Sequence, residues 1–286
     1  MGNVLARDVT ASGVRLRVSE WSREEVSSGA RETHPVVLLH GMFSARDSWT
    51  SFAEAIDGDF RLIAPDLPGF GESEKPAPSR YPYDIASFAE AIVDLFGGLE
   101  IGRAHLVGHG LGGAIALHVA ARHPELVSRL VLIAPLCYST PLHAKLRFAT
   151  APLLGGLLFK QLLGRRAYRA FYREWVNGSL DPALVDAYYA SFSTPTGRSA
   201  LLATLRANMD TRAVVADSRL VKAPTLVLWG NQDRMLPPSF GRQLAKEIPA
   251  AGFELVNSEH APHEEQPEAV TLVVSRFLRG QRAGSR

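Results

Sequence analysis

Apolar positions along the chain form short continuous runs that alternate with longer stretches of helical periodicity. The runs lie at 36–39, 61–66, 106–107, 129–135, 225–229 and 253–256, and the helical stretches lie at 49–56, 84–96, 114–122, 240–248 and 268–278. Strands that are covered on both faces read as continuous apolar runs, and strands that alternate with helices build a parallel sheet. The pattern therefore predicts an α/β fold with a mostly parallel, doubly wound sheet.

The first part of the chain shows a different pattern. Val14, Leu16 and Val18 alternate with polar neighbours after a Ser12-Gly13 turn. A period of two indicates a strand with only one buried face. We expect an antiparallel hairpin at the edge of the sheet, within residues 9–21.

The alternation of strand-like runs and helices stops at Leu136. From 137 to 216 the sequence carries helical, aromatic-rich segments and no convincing strand. This break predicts a helical cap at 137–216, inserted into a core made of 1–136 and 217–286. The most apolar window, 151–163, is too short to span a bilayer, which takes about 20 apolar residues. We interpret this window as part of a lid.

Composition narrows the classes of protein that fit. The chain of 286 residues is 46% hydrophobic, which suits one large domain with an insertion better than two unrelated domains. Its formal net charge is +2, and no basic stripe is interleaved with aromatics, so we expect no nucleic-acid partner. The single cysteine excludes an intramolecular disulfide, and the lack of a long apolar stretch near the N-terminus favours a cytoplasmic protein. The sequence leaves the oligomeric state open.

The stretch that carries the most specific pattern is 104–114, Ala-His-Leu-Val-Gly-His-Gly-Leu-Gly-Gly-Ala. A short apolar run enters a glycine-rich turn that opens directly into a helical run, which is typical of a nucleophile elbow. Gly108 and Gly112 occupy the two glycine positions of the G-x-S-x-G pattern, where the helix packs close to the strand. The position between them, which a serine nucleophile would occupy, is Gly110.

Two further side chains are expected at the same end of the sheet. Asp233 follows the strand that ends at Trp229-Gly230, and His260 follows the strand that ends at Val256. Reacting groups of open α/β sheets gather at the carboxyl ends of the strands, so both should reach the turn at Gly110. His260 would act as a general base, and Asp233 would hold its imidazole in one tautomer and stabilise the protonated ring.

Backbone groups near the turn complete the expected site. The N–H groups of Met42, after His40-Gly41, and of Leu111, at the start of the helix, are expected to form an oxyanion hole. Backbone donors do not depend on the side chain at 110, so the hole is expected to persist. The side chains expected to line the substrate pocket are Phe43, His109, Tyr138, Phe171 and Trp175.

Five motifs together resemble the α/β-hydrolase superfamily, specifically its single-domain esterase, lipase and C–C hydrolase-like branch. They are Leu39-His-Gly-Met42, Asp66-Leu-Pro-Gly-Phe-Gly-Glu-Ser73, Gly108-His-Gly-Leu-Gly112, Gly230-Asn-Gln-Asp233 and His260-Ala-Pro-His-Glu-Glu-Gln-Pro267. The resemblance implies the α/β-hydrolase fold and a triad in the order elbow residue, Asp233, His260. In that family the elbow residue is usually Ser, sometimes Asp or Cys, and a glycine often occupies the position of Glu259.

Gly110 allows three explanations. It is an engineered inactivation, or a natural adaptation to non-acylating His-Asp chemistry such as a lyase, a cyclase or direct water attack, or the mark of a ligand-binding pseudoenzyme. Glycine also relieves the strained elbow conformation, which costs other residues on the order of 1–3 kcal/mol, so the fold tolerates it. The sequence predicts a scaffold for hydrolysis of an ester-like or other acyl substrate of apolar character, without its nucleophile.

Other candidates for chemistry are weaker. His263 is an alternative to His260 as the base, but the spacing of Glu265 and Pro267 matches the expected motif when it is counted from His260. Cys137 lies at the end of a predicted strand, and we interpret it as a small buried apolar residue rather than as a substitute nucleophile. No histidine spacing resembles a metal site, and the glycines of the turn match a dinucleotide fingerprint poorly. We therefore expect neither a metal nor a cofactor.

Overall fold

The computed structural model of the chain describes residues 3–22, 34–57, 60–138, 164–176, 178 and 180–281. The apolar window 151–163, interpreted above as part of a lid, lies outside the described residues.

A single sheet forms the centre of the molecule. Its strands are β1 (Asn3–Ala11), β2 (Val14–Ser22), β3 (Val36–Leu39), β4 (Leu62–Pro65), β5 (Ala104–His109), β6 (Val127–Ile133), β7 (Thr225–Gly230) and β8 (Gly252–Val256). The eight strands lie in the order β1-β2-β4-β3-β5-β6-β7-β8. β2 pairs antiparallel with β1 and with β4, and every other neighbouring pair is parallel. The predicted mostly parallel sheet with a hairpin at its edge is confirmed.

Helices cover both faces of the sheet. They are α1 (Thr50–Ala55), α2 (Ile85–Gly98), α3 (Leu111–Arg122), α4 (Arg165–Trp175), α5 (Pro182–Ala190), α6 (Pro195–Ala207), α7 (Arg212–Ser218), α8 (Pro238–Glu247), α9 (Pro262–Glu265) and α10 (Pro267–Leu278). Alternate residues of a strand point to opposite faces. In β3, Val37 and Leu39 join the cluster that includes α2 and α3, whereas Val36 and Leu38 join the cluster with α1 and α10.

The described residues between β6 and β7, from 164 to 218, form α4 to α7 and contain no strand. We call these residues the helical segment. Tyr168, Tyr172 and Tyr188 are its largest fully buried side chains, and the Tyr168 hydroxyl donates a hydrogen bond to the carbonyl oxygen of Phe43 in the core. The division into a core and a cap at 137–216 stays a prediction. None of the helices within the described ranges has the length and apolarity needed to cross a membrane.

Candidate active site

Gly110 forms a sharp turn between β5 and α3. Its φ is +53° and its ψ is −115°, a conformation that residues with a side chain rarely adopt. Its N–H donates to the carbonyl oxygen of Ile133 at 3.1 Å, and its own carbonyl accepts from the N–H of Leu136 at 2.9 Å. These bonds fix the turn at the carboxyl end of β6.

The glycines on either side of Gly110 are required for close packing. A Cβ at Gly112 would lie 2.2 Å from the carbonyl oxygen of Leu39, and a Cβ at Gly108 would lie 2.3 Å from the carbonyl oxygen of Gly112. Position 110 differs, because a Cβ there would meet nothing closer than the Cα of Gly41 at 3.6 Å and Nε2 of His260 at 3.8 Å. The turn therefore has room for a side chain, which would lie next to His260.

Asp233 and His260, which we call the dyad, are joined by a hydrogen bond of 2.7 Å between Asp233 Oδ2 and His260 Nδ1. Because a carboxylate oxygen accepts, Nδ1 carries the proton and Nε2 of the neutral ring keeps its lone pair. The other carboxylate oxygen, Oδ1, accepts from the N–H groups of Met235 and Leu236, each at 2.8 Å. Both members of the dyad are buried. The pair is therefore held in one tautomer and one orientation.

The loop that carries His260 is held by Glu265, to which the sequence assigned only a role in registering the motif. Its carboxylate accepts from the N–H of Glu259 at 2.7 Å and from the N–H of Ala261 at 3.1 Å, the residues on either side of His260. The N–H of His260 itself donates to the carbonyl oxygen of Val176 at 3.1 Å. The histidine is thus positioned by the loop and by the helical segment.

Two more histidines lie beside the dyad. Nε2 of His109 donates to the carbonyl oxygen of His260 at 3.0 Å, and the ring of His263 lies 4.6 Å from that of His109. Burial lowers the pKa of His263 to about 3, and burial followed by the two neighbouring histidines lowers the pKa of His109 well below its ordinary value. Neither ring nitrogen of His263 has a hydrogen bond within the described ranges. Of the three histidines, His260 is the one that Asp233 orients, and its role as the base stays a prediction.

His40 orders the loop that contains Met42. Its Nδ1 lies 2.8 Å from the carbonyl oxygen of Gly41, which accepts from it, and its Nε2 accepts from the N–H of Leu67 at 3.0 Å. Burial lowers the pKa of His40, which keeps the ring neutral. Both nitrogens are committed, so His40 joins the loops after β3 and β4 and takes no part in proton transfer.

Two residues next to the turn, each with an unpaired backbone N–H group, line the same cavity as His260. Met42 and Leu111 both line it, and neither N–H donates a hydrogen bond to any group in the part of the chain that the structure describes. Free N–H groups next to a turn of this kind are the donors that an oxyanion hole requires. The arrangement agrees with the predicted hole, whose role stays a prediction.

The cavity and its opening to solvent together contain about 680 Å³ of empty space. Gly110, His260, Phe43 and His109 line it, as the sequence predicts, but Tyr138, Phe171 and Trp175 are not among its lining residues. The hydroxyl of Tyr138 donates to Glu247 at 3.0 Å, and the ring of Phe171 packs edge to face on Phe43 at 4.7 Å. Three of the five expected pocket residues therefore lie outside the lining of this cavity, and the assignment of the substrate pocket stays a prediction.

Helix phase explains the correction in α4. Residues four apart share a helix face. Tyr168 and Tyr172 are fully buried and Val176 continues their stripe, whereas Phe171 and Trp175 each lie one position earlier and are only half-buried. Tyr172 and Val176 line the cavity instead.

Neither of the remaining candidate nucleophiles near the cavity is activated. Burial raises the pKa of the Cys137 thiol, and its side chain is fully enclosed. Ser44 lines the cavity, but its hydroxyl donates to the carbonyl oxygen of Gly41 at 3.3 Å. Among the described residues, no group of His, Cys, Asp or Glu side chains is arranged to hold a metal ion.

A buried carboxyl lies behind the cavity wall. Glu264 accepts hydrogen bonds from the hydroxyls of Tyr172 and Tyr188, each at 3.2 Å, and so joins the loop after β8 to α4 and α5. Burial is the largest cause of a rise in the pKa of Glu264 to about 8. The carboxyl is therefore protonated at neutral pH.

Replacing Glu264 by glutamine is expected to flatten the pH dependence of stability. The folded carboxyl stays protonated up to a pKa of about 8, against an ordinary value of 4.5. Unfolding between these values releases a proton, so the free energy of unfolding falls as pH rises, by at most about 1.4 kcal/mol per pH unit. Glutamine still accepts from the tyrosines but does not ionise. Urea unfolding of both chains across this pH range measures the difference.

Glu90, which is exposed on α2, provides the matched control. Glu90→Gln should leave the pH profile unchanged. If the chain with Glu264→Gln loses stability in parallel with the parent over the whole range, Glu264 is ionised in the folded state and the expectation is wrong.

Comparison with known proteins places these features in context. The chain matches a family model described as "alpha/beta hydrolase fold" over residues 34–267. It is 30% identical over 288 residues to 2-hydroxymuconate semialdehyde hydrolase of Pseudomonas putida, covering 96% of this chain and 94% of that protein. It is 27% identical over 259 residues to the uncharacterized hydrolase YugF of Bacillus subtilis, covering 90% and 93%. The crystal structure of haloalkane dehalogenase DbeA from Bradyrhizobium elkani superposes with a TM-score of 0.83 at 22% identity, covering 99% and 100%, which shows a shared fold.

Proposed function

The chain belongs to the α/β-hydrolase fold family, and from this premise we propose that its cavity is the active site of a hydrolase for carboxylic esters or related acyl compounds. The relatives that match along nearly its full length are named as hydrolases, which supports the general class. In this sequence the nucleophile position is Gly110. We propose that the site keeps every other part of a serine-hydrolase machinery.

One observation carries the proposal. A Cβ built at Gly110 lies 3.8 Å from His260 Nε2, with no closer contact than 3.6 Å. A serine oxygen is one bond further out, so it can come within hydrogen-bond reach of a nitrogen whose lone pair is free. The dyad and the turn are therefore in register for a side chain that this sequence does not have.

The geometry supports a defined sequence of steps once a serine is present at 110. His260 Nε2 takes the hydroxyl proton while the oxygen attacks the ester carbonyl, and Asp233 stabilises the imidazolium. The N–H groups of Met42 and Leu111 bind the oxyanion. His260 then returns the proton to the leaving alcohol, and an acyl-enzyme forms. Water, activated by the same histidine, hydrolyses this ester and frees the serine.

The cavity walls support an apolar substrate. Leu136, Val176, Leu205 and Met209 contribute to the lining, and mostly apolar walls with a few polar groups are typical of small-molecule sites. Several of these walls come from the helical segment. We propose that this segment acts as a cap that holds the apolar part of the substrate over the dyad.

Gly110→Ser tests the proposal. The unaltered chain is expected to take up no fluorophosphonate, because glycine offers no oxygen and the Ser44 hydroxyl donates its proton to the carbonyl oxygen of Gly41. The Gly110→Ser chain is expected to gain one adduct, on the introduced serine only, through the retained dyad. Intact-mass spectrometry followed by peptide mapping measures both outcomes.

The fluorophosphonate adduct must depend on the folded active site and not on a reactive serine at the surface. Denatured Gly110→Ser protein is the control and should remain unlabelled. A stoichiometric adduct on the unaltered chain, or a folded Gly110→Ser chain that takes up no label, would sink the proposal.

A second candidate function is direct general-base hydrolysis by the Gly110 chain itself. The clearance around a Cβ at 110 leaves space for an atom of that size next to Nε2 of His260. A water held there, between the base and the N–H groups of Met42 and Leu111, would attack a bound ester without an acyl-enzyme. Both candidates require His260, and they differ in whether the unaltered Gly110 chain hydrolyses an ester.

A further inference from the structure

The cavity lining contains an amide side chain that belongs to neither the dyad nor the loops around it. Asn208 follows α6, is buried, and lines the cavity between the apolar side chains of Leu205 and Met209. Asparagine carries two N–H donors and one carbonyl acceptor. The partners of these three sites decide what it presents to a ligand.

Both donors of the Asn208 amide are committed to backbone carbonyls. Nδ2 lies 2.8 Å from the carbonyl oxygen of Tyr83 and 2.7 Å from that of Thr204. Carbonyl oxygens only accept, so the nitrogen must face them and Oδ1 must point the other way. The orientation of the amide is therefore determined by its partners.

The Tyr83 anchor point is itself held in place. Tyr83 has a φ of +63°, which is unusual for a large side chain, and its hydroxyl donates to the carbonyl oxygen of Pro76 at 2.7 Å. Thr204 lies one helical turn before Asn208 in α6. Asn208 thus joins the helical segment to the core at a fixed distance, and its amide cannot rotate without breaking two bonds.

The remaining atom, Oδ1, accepts no hydrogen bond from any residue in the described ranges. It is nevertheless not fully buried. Asn208 lines the cavity and is only 3% exposed, and these two observations support an Oδ1 that faces the cavity. A fixed acceptor in an apolar wall contributes to specificity. A ligand without a matching donor would remove water from this oxygen and leave it without a hydrogen bond, which weakens binding.

We propose that Asn208 determines specificity by accepting a hydrogen bond from an O–H or N–H group on the apolar part of the substrate. This inference rests on the proposed function, and it deepens it by naming the substrate class: an acyl compound whose chain carries a single donor. A substrate with only an ether or a methylene at that place is bound less well.

Ketone analogues test the inference with the chain as it is. Methyl ketones have no leaving group, so their binding does not depend on any nucleophile at 110. We would compare eight-carbon ketones that carry a hydroxyl at successive chain positions with the matched methoxy and unsubstituted compounds. At one position the hydroxyl compound is expected to bind about 3- to 10-fold more tightly than its methoxy match, which is the size of one neutral hydrogen bond. Isothermal titration calorimetry measures the dissociation constants.

Asn208→Leu, checked for folding by circular dichroism, should abolish the preference for the hydroxyl compound. If this variant does not fold, the analogue series on the unaltered chain decides the matter alone. Equal binding of hydroxyl and methoxy compounds at every position overturns the inference, as does a preference that survives in folded Asn208→Leu or an absence of binding by every ketone. A chain that shows the preference but whose Gly110→Ser form takes up no fluorophosphonate would refute the proposed function and leave the donor subsite standing.

Discussion

A Gly110→Ser chain that also carries His260→Ala is expected to hydrolyse an activated ester about 10²–10⁴-fold more slowly than Gly110→Ser alone. The serine would keep its position and its oxyanion donors but would lose the group that takes its proton. His263 cannot substitute, because it does not line the cavity, its pKa is lowered to about 3, and the nearest carboxylate oxygen is 3.7 Å from its Nε2. Single-turnover release of p-nitrophenolate measures the effect.

His123, at the end of α3 and outside the cavity lining, supplies the matched control for loss of an imidazole. His123→Ala should leave the rate within a factor of about two, since surface changes away from a site have small effects. The same His260→Ala change in the Gly110 chain separates the two candidate functions: direct water attack predicts turnover that disappears with His260. Turnover in either background that is indifferent to His260 contradicts a role for the dyad.

Gly112→Ala is expected to destabilise the fold by about 3 kcal/mol or more. The added methyl would lie 2.2 Å from the carbonyl oxygen of Leu39 and 2.7 Å from that of His40. Both atoms are backbone, at the end of a central strand, so no side chain can rotate away to make room. α3 would have to move off the sheet, and the turn at Gly110 would move with it. Chemical denaturation measures the change in the free energy of unfolding.

Gly97, a helical glycine near the end of α2, is the matched control. A Cβ there meets no atom within 4 Å, so Gly97→Ala should stabilise the chain by about 0.5–1 kcal/mol through helix propensity. Similar free energies of unfolding for the Gly112→Ala and Gly97→Ala chains would show that close approach of α3 to β3 is not what requires glycine.

The central fold could be predicted because short sequence patterns mark its buried strands and its close-packed turn. Continuous apolar runs at β3 and β5 follow from strands covered on both faces, and the glycines at 108 and 112 follow from the contact between α3 and β3. Asp233 and His260 were brought together by one general rule, that parallel strands deliver their carboxyl ends to one edge. Correct strand assignment was enough to expect them near each other, and in the structure Asp233 Oδ2 lies 2.7 Å from His260 Nδ1.

The cavity wall was harder to predict because it depends on how helices face one another. The aromatic content of α4 indicated a lining helix, but the choice between Phe171 and Tyr172 depended on a helical stripe that the composition of the segment does not show. Asn208 gave no signal at all. Its orientation is determined by Tyr83, which lies 125 positions away and has an unusual backbone conformation.

The positions of the site residues along the chain also determine when the site can form during synthesis. The turn at Gly110 lies at the centre of the sheet, on β5, whereas Asp233 and His260 follow β7 and β8, the last two strands at one edge. His260 leaves the ribosome 150 positions after Gly110, a delay of roughly 8–30 s at ordinary translation rates. Until then a nascent chain holds the turn at Gly110 without the dyad. Chemistry that needs the dyad therefore begins only after the last two strands at that edge of the sheet have been synthesised.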